Sequence, residues 1–118
     1  MSKDLSSARI LIIDDDEDDF FITREYINSI ADRKFHIDWQ YRYSDAIAHI
    51  KNRDYDLYFV DYYLGARTGL DLIKEAYSFQ CEEPMVLLTG KGNQLIDREA
   101  MQAGAMDYLV KSDLNAEK

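Results

Sequence analysis

Apolar residues follow two different spacings along the chain. Four short apolar runs, rich in β-branched and aromatic residues, predict strands at residues 9–13, 56–60, 84–88 and 106–110, and a weakly alternating segment of β-forming residues predicts another at 35–41. Between these runs, apolar residues recur at helical spacing and predict four helices. The residues that define the four apolar faces are Phe20, Ile22, Tyr26, Ile27 and Ile30; Ala46, Ile47 and Ile50; Leu70, Ile73 and Tyr77; and Leu95, Ile96, Ala100 and Ala103.

Local signals suggest where these helices begin and end. Ser44 is a suitable N-cap for the second helix, and the third helix opens near Gly69. Gly104 is a C-terminal stop for the fourth. A glycine-containing loop at residues 89–93 is expected after the fourth strand.

The predicted order of elements is βαβαβαβαβ, and the apolar runs lack the alternation of half-exposed strands. Such runs indicate strands buried on both faces, in a parallel sheet with helices on each side. We therefore expect an α/β fold with a doubly wound, five-stranded parallel sheet. Because 118 − 111 = 7 residues follow Lys111, a fifth helix should be truncated or missing, leaving the strand around Leu109 exposed or covered by another chain. We expect residues 1–118 to be a single domain, the N-terminal part of a longer chain.

Composition narrows the class of protein. Of 118 residues, 47% are apolar and 31% charged, which is typical of a globular domain. A net charge of −9 argues against direct binding of nucleic acid or of anionic membrane surfaces. The single cysteine, Cys81, excludes an intrachain disulfide, and no apolar run is long enough to span a membrane. We expect a cytoplasmic location.

Polar side chains cluster where the predicted strands end. Asp14, Asp15 and Asp16 follow the first strand, Asp61 follows the third, Thr89 the fourth and Lys111 the fifth. Ligands of open α/β sheets bind at this edge. Crowded carboxylates favour a hard cation such as Mg²⁺, and an aspartate can itself be the nucleophile of phosphoryl transfer. The pattern indicates Mg²⁺-dependent phosphorylation of an aspartate.

These residues carry a family resemblance. The sequences IIDDD, DLYFVD, VLLTG and AGAMDYLVK, with Gly69 eight positions after Asp61, resemble the receiver domain of two-component response regulators over residues 9–114. The resemblance implies a flavodoxin-like sheet with strand order 2-1-3-4-5. It also implies a phosphorelay role, in which a sensor histidine kinase or histidine phosphotransfer protein donates the phosphoryl group and a downstream partner reads the changed surface.

The resemblance also implies roles for individual residues. Asp61 would be the phosphoacceptor, and Asp15, Asp61 and the backbone carbonyl of Tyr63 would bind Mg²⁺ directly, with Asp14 acting mainly through water. Lys111 would pair with the phosphoryl oxygens. Thr89 and Tyr108 would form the switch that responds to phosphorylation. A homodimer partner or an output domain would dock on the face of the fourth helix and fifth strand.

Two positions depart from the family pattern, and two others vary within it. Ser112 stands where the family usually has proline after the lysine, and Gly65 stands where many receivers have proline, so a more mobile loop is expected there. The resemblance also implies that Tyr63 and Lys91 occupy positions that tune dephosphorylation. We hypothesise that both side chains shield the acyl phosphate from water.

Two other functions fit parts of the pattern. A phosphatase of the haloacid dehalogenase type would use Asp14 and Asp16, but it would leave Asp61 without a role, and the glycine and threonine usual after the acids are missing. A degenerate receiver would bind a partner without phosphorylation. The remaining acids, including Asp18 and Asp19, are interpreted as helix-capping or surface charge.

Overall fold

The computed structural model describes residues 8–30, 35–90 and 94–111. Its main sheet is parallel throughout and has the strand order β2-β1-β3-β6-β7. The strands of this sheet are β1 (Arg9–Ile13), β2 (His36–Gln40), β3 (Leu57–Asp61), β6 (Met85–Thr89) and β7 (Asp107–Val110). A separate antiparallel hairpin pairs β4 (Tyr63–Leu64) with β5 (Arg67–Thr68). The flavodoxin-like order expected from the sequence, 2-1-3-4-5, is confirmed for the five long strands.

Four helices cover this sheet in the described part of the chain. They are α1 (Glu17–Ile30), α2 (Tyr43–Lys51), α3 (Gly69–Ser78) and α4 (Gln94–Ala103). None of them has the length and apolar character that crossing a bilayer requires. A helix therefore connects each strand of the main sheet to the next, as the predicted element order requires.

The sheet separates two apolar cores. On one face, α2, α3 and α4 pack on alternate strand residues such as Leu11, Val60 and Leu87. On the other face, α1 contributes Phe20 and Ile27 to a smaller cluster. The inner strands β1, β3 and β6 are buried from both sides, which explains why their sequences are continuous apolar runs, whereas the edge strands β2 and β7 are only partly buried.

The second face has less helical cover. Leu109 of β7 is half-buried and packs at the margin of the α1 cluster. The described ranges end at Lys111, the residue directly after β7, so the expected truncation or lack of a fifth helix concerns residues outside them, as does the Lys111–Ser112 peptide bond.

Two local predictions were wrong. The N-cap of α2 is Arg42, not Ser44, and its side chain makes no capping hydrogen bond. Instead Gln40 Oε1 accepts hydrogen bonds from the amides of Tyr41 and Arg42, 3.0 and 3.1 Å away. Thr89, expected in a loop, is the last residue of β6, where its register partner is Val110.

The hairpin after β3 was not foreseen. Gly65 at its turn has φ +73°, in the left-handed region that glycine adopts without strain. The Arg67 guanidinium lies 4.1 Å from the centre of the Tyr43 ring in α2 and forms an ion pair of 3.7 Å with Glu75 Oε1 in α3. These contacts tie the segment expected to be mobile to both α2 and α3.

Candidate functional site

The parallel register brings the strand-end residues to one edge of the sheet. Asp14 directly follows β1, Asp61 ends the adjacent β3, and Lys111 follows β7 on the other side of β6. Within this edge, carboxylate oxygens of Asp14, Asp15 and Asp61 lie within 4.8 Å of one another. Asp14 and Asp61 are buried, with 0% and 5% of their surface exposed, whereas Asp15 is exposed.

Lys111 places its ammonium group among the acids. Its Nζ lies 2.8 Å from Asp61 Oδ1 and 3.1 Å from Asp14 Oδ2. It also donates a hydrogen bond of 2.6 Å to Asp19 Oδ2. Lys111 and Asp61, 111 − 61 = 50 residues apart in sequence, therefore lie together at the edge of the sheet where both were expected.

The electrostatics of the cluster favour a cation. Burial, followed by the nearby Asp61 carboxylate, raises the pKa of Asp14 to about 7. Burial also raises the pKa of Asp61, although Lys111 opposes that shift. For Lys111, burial disfavours the charged form, but the surrounding carboxylates outweigh it and raise the pKa above its ordinary value. One ammonium thus faces more negative charge than it neutralises.

The donor set fits Mg²⁺. It consists of carboxylate oxygens, the ligand type that this hard ion prefers. Asp14 Oδ2 is fully buried and has no hydrogen-bond partner among the described residues, although Lys111 Nζ lies 3.1 Å away in an ion pair. A buried, unsatisfied carboxylate oxygen beside two further carboxylates is the arrangement that a metal ion would complete.

The backbone around Asp14 is anchored to the neighbouring strand. Its amide donates to the carbonyl of Gln40 at 3.1 Å, and its own carbonyl accepts from the indole Nε1 of Trp39 at 2.7 Å. The Trp39 ring stacks on Phe20 of α1, with centroids 5.4 Å apart. Trp39 therefore packs against α1 and also positions a site residue.

Gly69 allows the start of α3 to pack closely against the backbone of Asp61. A Cβ at this position would collide with the Asp61 carbonyl oxygen and lie 3.0 Å from its carbon. The Gly69 amide instead donates to the Tyr62 carbonyl at 2.7 Å. Thr68 then caps α3 in a capping box with Asp71. Steric exclusion by the Asp61 backbone thus explains why glycine stands eight positions after Asp61.

The other predicted site residues are not members of the carboxylate and lysine cluster. Tyr63 is 68% exposed and its ring stacks on Tyr62, with centroids 4.8 Å apart. Tyr108 is half-buried against the α2–α4 core, and Thr89 is buried. The backbone amide of Asp16 donates to Asp14 Oδ1 at 3.0 Å, so Asp16 borders the cluster without joining it. Lys91 lies outside the described residues.

Asp19 was missed. The sequence interpretation treated it as helix-capping or surface charge, because acids are common in the first turn of any helix. In the structure its carboxylate makes the 2.6 Å hydrogen bond to Lys111. Only the three-dimensional pairing of α1 with the end of β7, 92 residues later, identifies it.

Comparisons with known proteins agree with this fold and site. The response regulator receiver domain family matches residues 10–117. The acid tolerance regulatory protein ActR of Sinorhizobium medicae is 31% identical over 102 residues, 86% of this chain and 51% of ActR. The chain spans about half the length of curated relatives such as ActR.

Solved structures show the same architecture. A two-component response regulator from Clostridium difficile superposes with a TM-score of 0.75 at 28% identity, over 89% of this chain and 84% of that one. The BeF3-activated N-terminal receiver domain of Klebsiella pneumoniae RstA gives a TM-score of 0.75 at 23% identity, over 88% and 86% of the two chains. At that identity the second likeness concerns the fold alone.

The flavodoxin-like sheet with acids and a lysine at its carboxyl edge defines a signalling module of two-component systems. With a family match over nearly the whole chain, the protein belongs to the response regulator receiver domain family. The predicted family is thereby confirmed, and its relatives are regulators rather than classical enzymes.

Proposed function

We propose that this receiver accepts a phosphoryl group on Asp61 in a Mg²⁺-dependent phosphorelay. The observation that carries the proposal is the convergence of Asp14, Asp15 and Asp61 oxygens within 4.8 Å, with Lys111 Nζ 2.8 Å from Asp61. The donor would be a sensor histidine kinase or a histidine phosphotransfer protein. The domain would assist its own modification without turning over a substrate.

In the proposed transfer, an Asp61 carboxylate oxygen attacks the phosphorus of a phosphohistidine. The new O–P bond forms as the P–N bond breaks, and its electron pair returns to the imidazole ring. Lys111 pairs with the phosphoryl oxygens and offsets part of their charge. Bound Mg²⁺ would supply further neutralisation of the phosphoryl oxygens.

The proposed metal ligands all lie at this same edge of the sheet. Asp15 and Asp61 would bind Mg²⁺ directly, with the backbone carbonyl of Tyr63 as the third protein ligand, and Asp14 would act mainly through water. Exposure of Asp15 supports its assignment, because a solvent-facing carboxylate leaves room for the waters that Mg²⁺ retains. The unsatisfied Asp14 Oδ2 supports a role for Asp14 at the same ion.

The proposed output is a change of surface. Thr89, at the end of β6, would turn its hydroxyl toward the phosphoryl group, and the half-buried Tyr108 ring would move inward after it. Tyr63 and Lys91 would slow dephosphorylation by shielding the acyl phosphate. Exposed Met101 of α4 and Met106 before β7, 50% and 56% accessible, support docking of a homodimer partner or an output domain on that face.

Phosphorylation by a small donor tests the proposal. The protein is incubated with acetyl phosphate, with and without Mg²⁺, beside Asp61→Asn, and intact masses are measured. We expect one phosphoryl group that requires Mg²⁺ and is absent from the variant. A folded wild-type protein that gains no phosphoryl group would favour the degenerate receiver. Steady hydrolysis of a phosphomonoester that depends on Asp14 and Asp16 would favour the phosphatase.

A further inference from the structure

Lys111 has a third carboxylate partner besides the two acids at the ends of β1 and β3. Asp19 Oδ2 accepts its hydrogen bond at 2.6 Å, closer than Asp61 at 2.8 Å or Asp14 at 3.1 Å. Asp19 lies in the first turn of α1 with its side chain 33% exposed, whereas the lysine side chain is 17% exposed. The ammonium is therefore shared between the buried acids and a more accessible acid at the rim.

This sharing matters because an ammonium group has three protons. Three carboxylate oxygens lie within 3.1 Å of Nζ, and Asp19 Oδ2 accepts a hydrogen bond from it, so the ammonium is already engaged before any phosphoryl group arrives. A phosphoryl group on Asp61 brings further acceptor oxygens and more negative charge to the same place. To take Lys111 fully, it must compete with Asp19.

Two electrostatic effects of Asp19 act in the same direction on an incoming anion. Its carboxylate holds part of the ammonium charge, and its own charge repels a phosphoryl group bound nearby. On a metal cation its effect is the opposite, because another carboxylate near the cluster attracts Mg²⁺. Asp19 should therefore shift the site toward the cation and away from the phosphoryl anion.

We propose that Asp19 is a positioning residue that competes with the phosphoryl group for Lys111 and so lowers the affinity of the site for phosphoryl-like anions. This inference rests on the proposed function of Asp61 and assigns a regulatory contact within that site. It does not place Asp19 among the metal ligands. The contact would set how completely the receiver stays unphosphorylated when its donor is scarce.

Asp18 offers a matched control. It lies beside Asp19 in the same helical turn and carries the same charge, so it interacts similarly with the helix N-terminus. Its side chain is exposed and makes no ion pair with Lys111 among the described residues. Asp18→Asn thus reproduces the change in net charge and helix-end electrostatics without removing the contact with Lys111.

The test compares wild type, Asp19→Asn, Asp18→Asn and Asp19→Glu. Beryllofluoride affinity is measured by ¹⁹F NMR at saturating Mg²⁺, and Mg²⁺ affinity is measured separately by calorimetry. We expect Asp19→Asn to bind beryllofluoride about threefold more tightly, which is the size of effect typical of losing a partly exposed ion pair. The same variant should bind Mg²⁺ more weakly. Asp18→Asn should stay near wild type, and Asp19→Glu, which keeps the charge, should restore most of the wild-type behaviour.

Beryllofluoride affinity should increase and Mg²⁺ affinity should decrease in Asp19→Asn. This distinguishes the proposed role from general destabilisation, which would weaken the binding of both. Equal beryllofluoride affinities in Asp19→Asn and Asp18→Asn, or weaker binding in Asp19→Asn, would overturn the inference. If wild type itself binds no beryllofluoride with Mg²⁺, the proposed function fails instead. The ¹⁵N signal of the Lys111 ammonium then still reports the contact. Its chemical shift should differ from the wild-type value in Asp19→Asn and stay at that value in Asp18→Asn.

Discussion

The carbonyl group of Asp61 occupies the space that a side chain at Gly69 would require. A Cβ there would overlap the carbonyl oxygen, which is backbone and cannot rotate away. The start of α3 and the predicted phosphoacceptor are therefore locked together by a contact that only glycine permits. Any larger residue at position 69 must displace either the helix or the end of β3.

Gly69→Ala should destabilise the fold and disturb the site at the same time. Overpacking of this kind costs about 1–3 kcal/mol, which urea denaturation would measure. Mg²⁺ affinity should also fall, because Asp61 moves relative to Asp14 and Asp15. Gly90→Ala is the control, since a Cβ at Gly90 meets nothing within 4 Å. Equal stability losses in the two variants would contradict the steric account.

Trp39→Phe should weaken the site without removing its aromatic ring. The substitution deletes the indole donor that lies 2.7 Å from the Asp14 carbonyl oxygen. Leaving that carbonyl unsatisfied costs about 1–3 kcal/mol of folding stability, and Mg²⁺ affinity measured by calorimetry should decrease. Phe20→Leu disturbs the stacking on Trp39 but keeps the hydrogen bond. The opposite result would be a Mg²⁺ affinity that is unchanged in Trp39→Phe but reduced in Phe20→Leu. It would show that aromatic packing, and not the indole hydrogen bond, positions Asp14.

Asp14→Asn should stabilise the metal-free protein most at high pH. The pKa of Asp14 is raised to about 7 by burial and by Asp61, so the folded state binds this proton more tightly than the unfolded chain does. The resulting stability is complete below the ordinary pKa of 3.8 and is lost as the pH rises through 7. Replacement by the neutral amide avoids that loss.

We expect Asp14→Asn to raise the free energy of unfolding by about 2 kcal/mol at pH 8 and by less at pH 5. Urea denaturation at both pH values, without divalent metal, measures the difference. Asp18→Asn, at an exposed position, should show no comparable pH dependence. The same gain at both pH values would argue against ionisation of Asp14 as the cause.

Tyr63→Asn should shorten the life of the phosphorylated state. The Tyr63 ring is 68% exposed and stacks on Tyr62 beside the predicted acceptor. The shorter amide would leave the acyl phosphate more open to water. Loss of the phosphoryl mass with time, compared with Tyr63→Phe, measures the effect. If Tyr63→Asn loses phosphate no faster than Tyr63→Phe, the shielding hypothesis is wrong.

Much of the fold was predictable because its inner strands β1, β3 and β6 are apolar runs buried from both sides. The same argument placed Asp14, Asp61 and Lys111 on one edge, since parallel strands end together. Ser44 was chosen as an N-cap from residue preference alone. That preference failed because the helix begins earlier: the Ala46 amide already donates to the Arg42 carbonyl at 3.0 Å, which makes Arg42 the N-cap and puts Ser44 inside α2.

Other features depend on contacts between distant segments. The hairpin of β4 and β5 has strands of two residues each, too short to show any periodicity. Asp19 looks like any acid at a helix start until β7 brings Lys111 beside it. The hydrogen bond from Trp39 to Asp14 likewise requires the register of β1 with β2. Whether the parent chain is longer stays a prediction.

The most direct test of the account is to identify the residue that carries the phosphoryl group. After incubation with acetyl phosphate and Mg²⁺, borohydride reduction converts an aspartyl phosphate to homoserine, which peptide mass spectrometry can locate. We predict homoserine at position 61, absent when Mg²⁺ is omitted and absent from Asp61→Asn. Homoserine at Asp14, Asp15 or Asp16, or a phosphoryl group that persists in folded Asp61→Asn, would contradict the assignment of Asp61 as the acceptor.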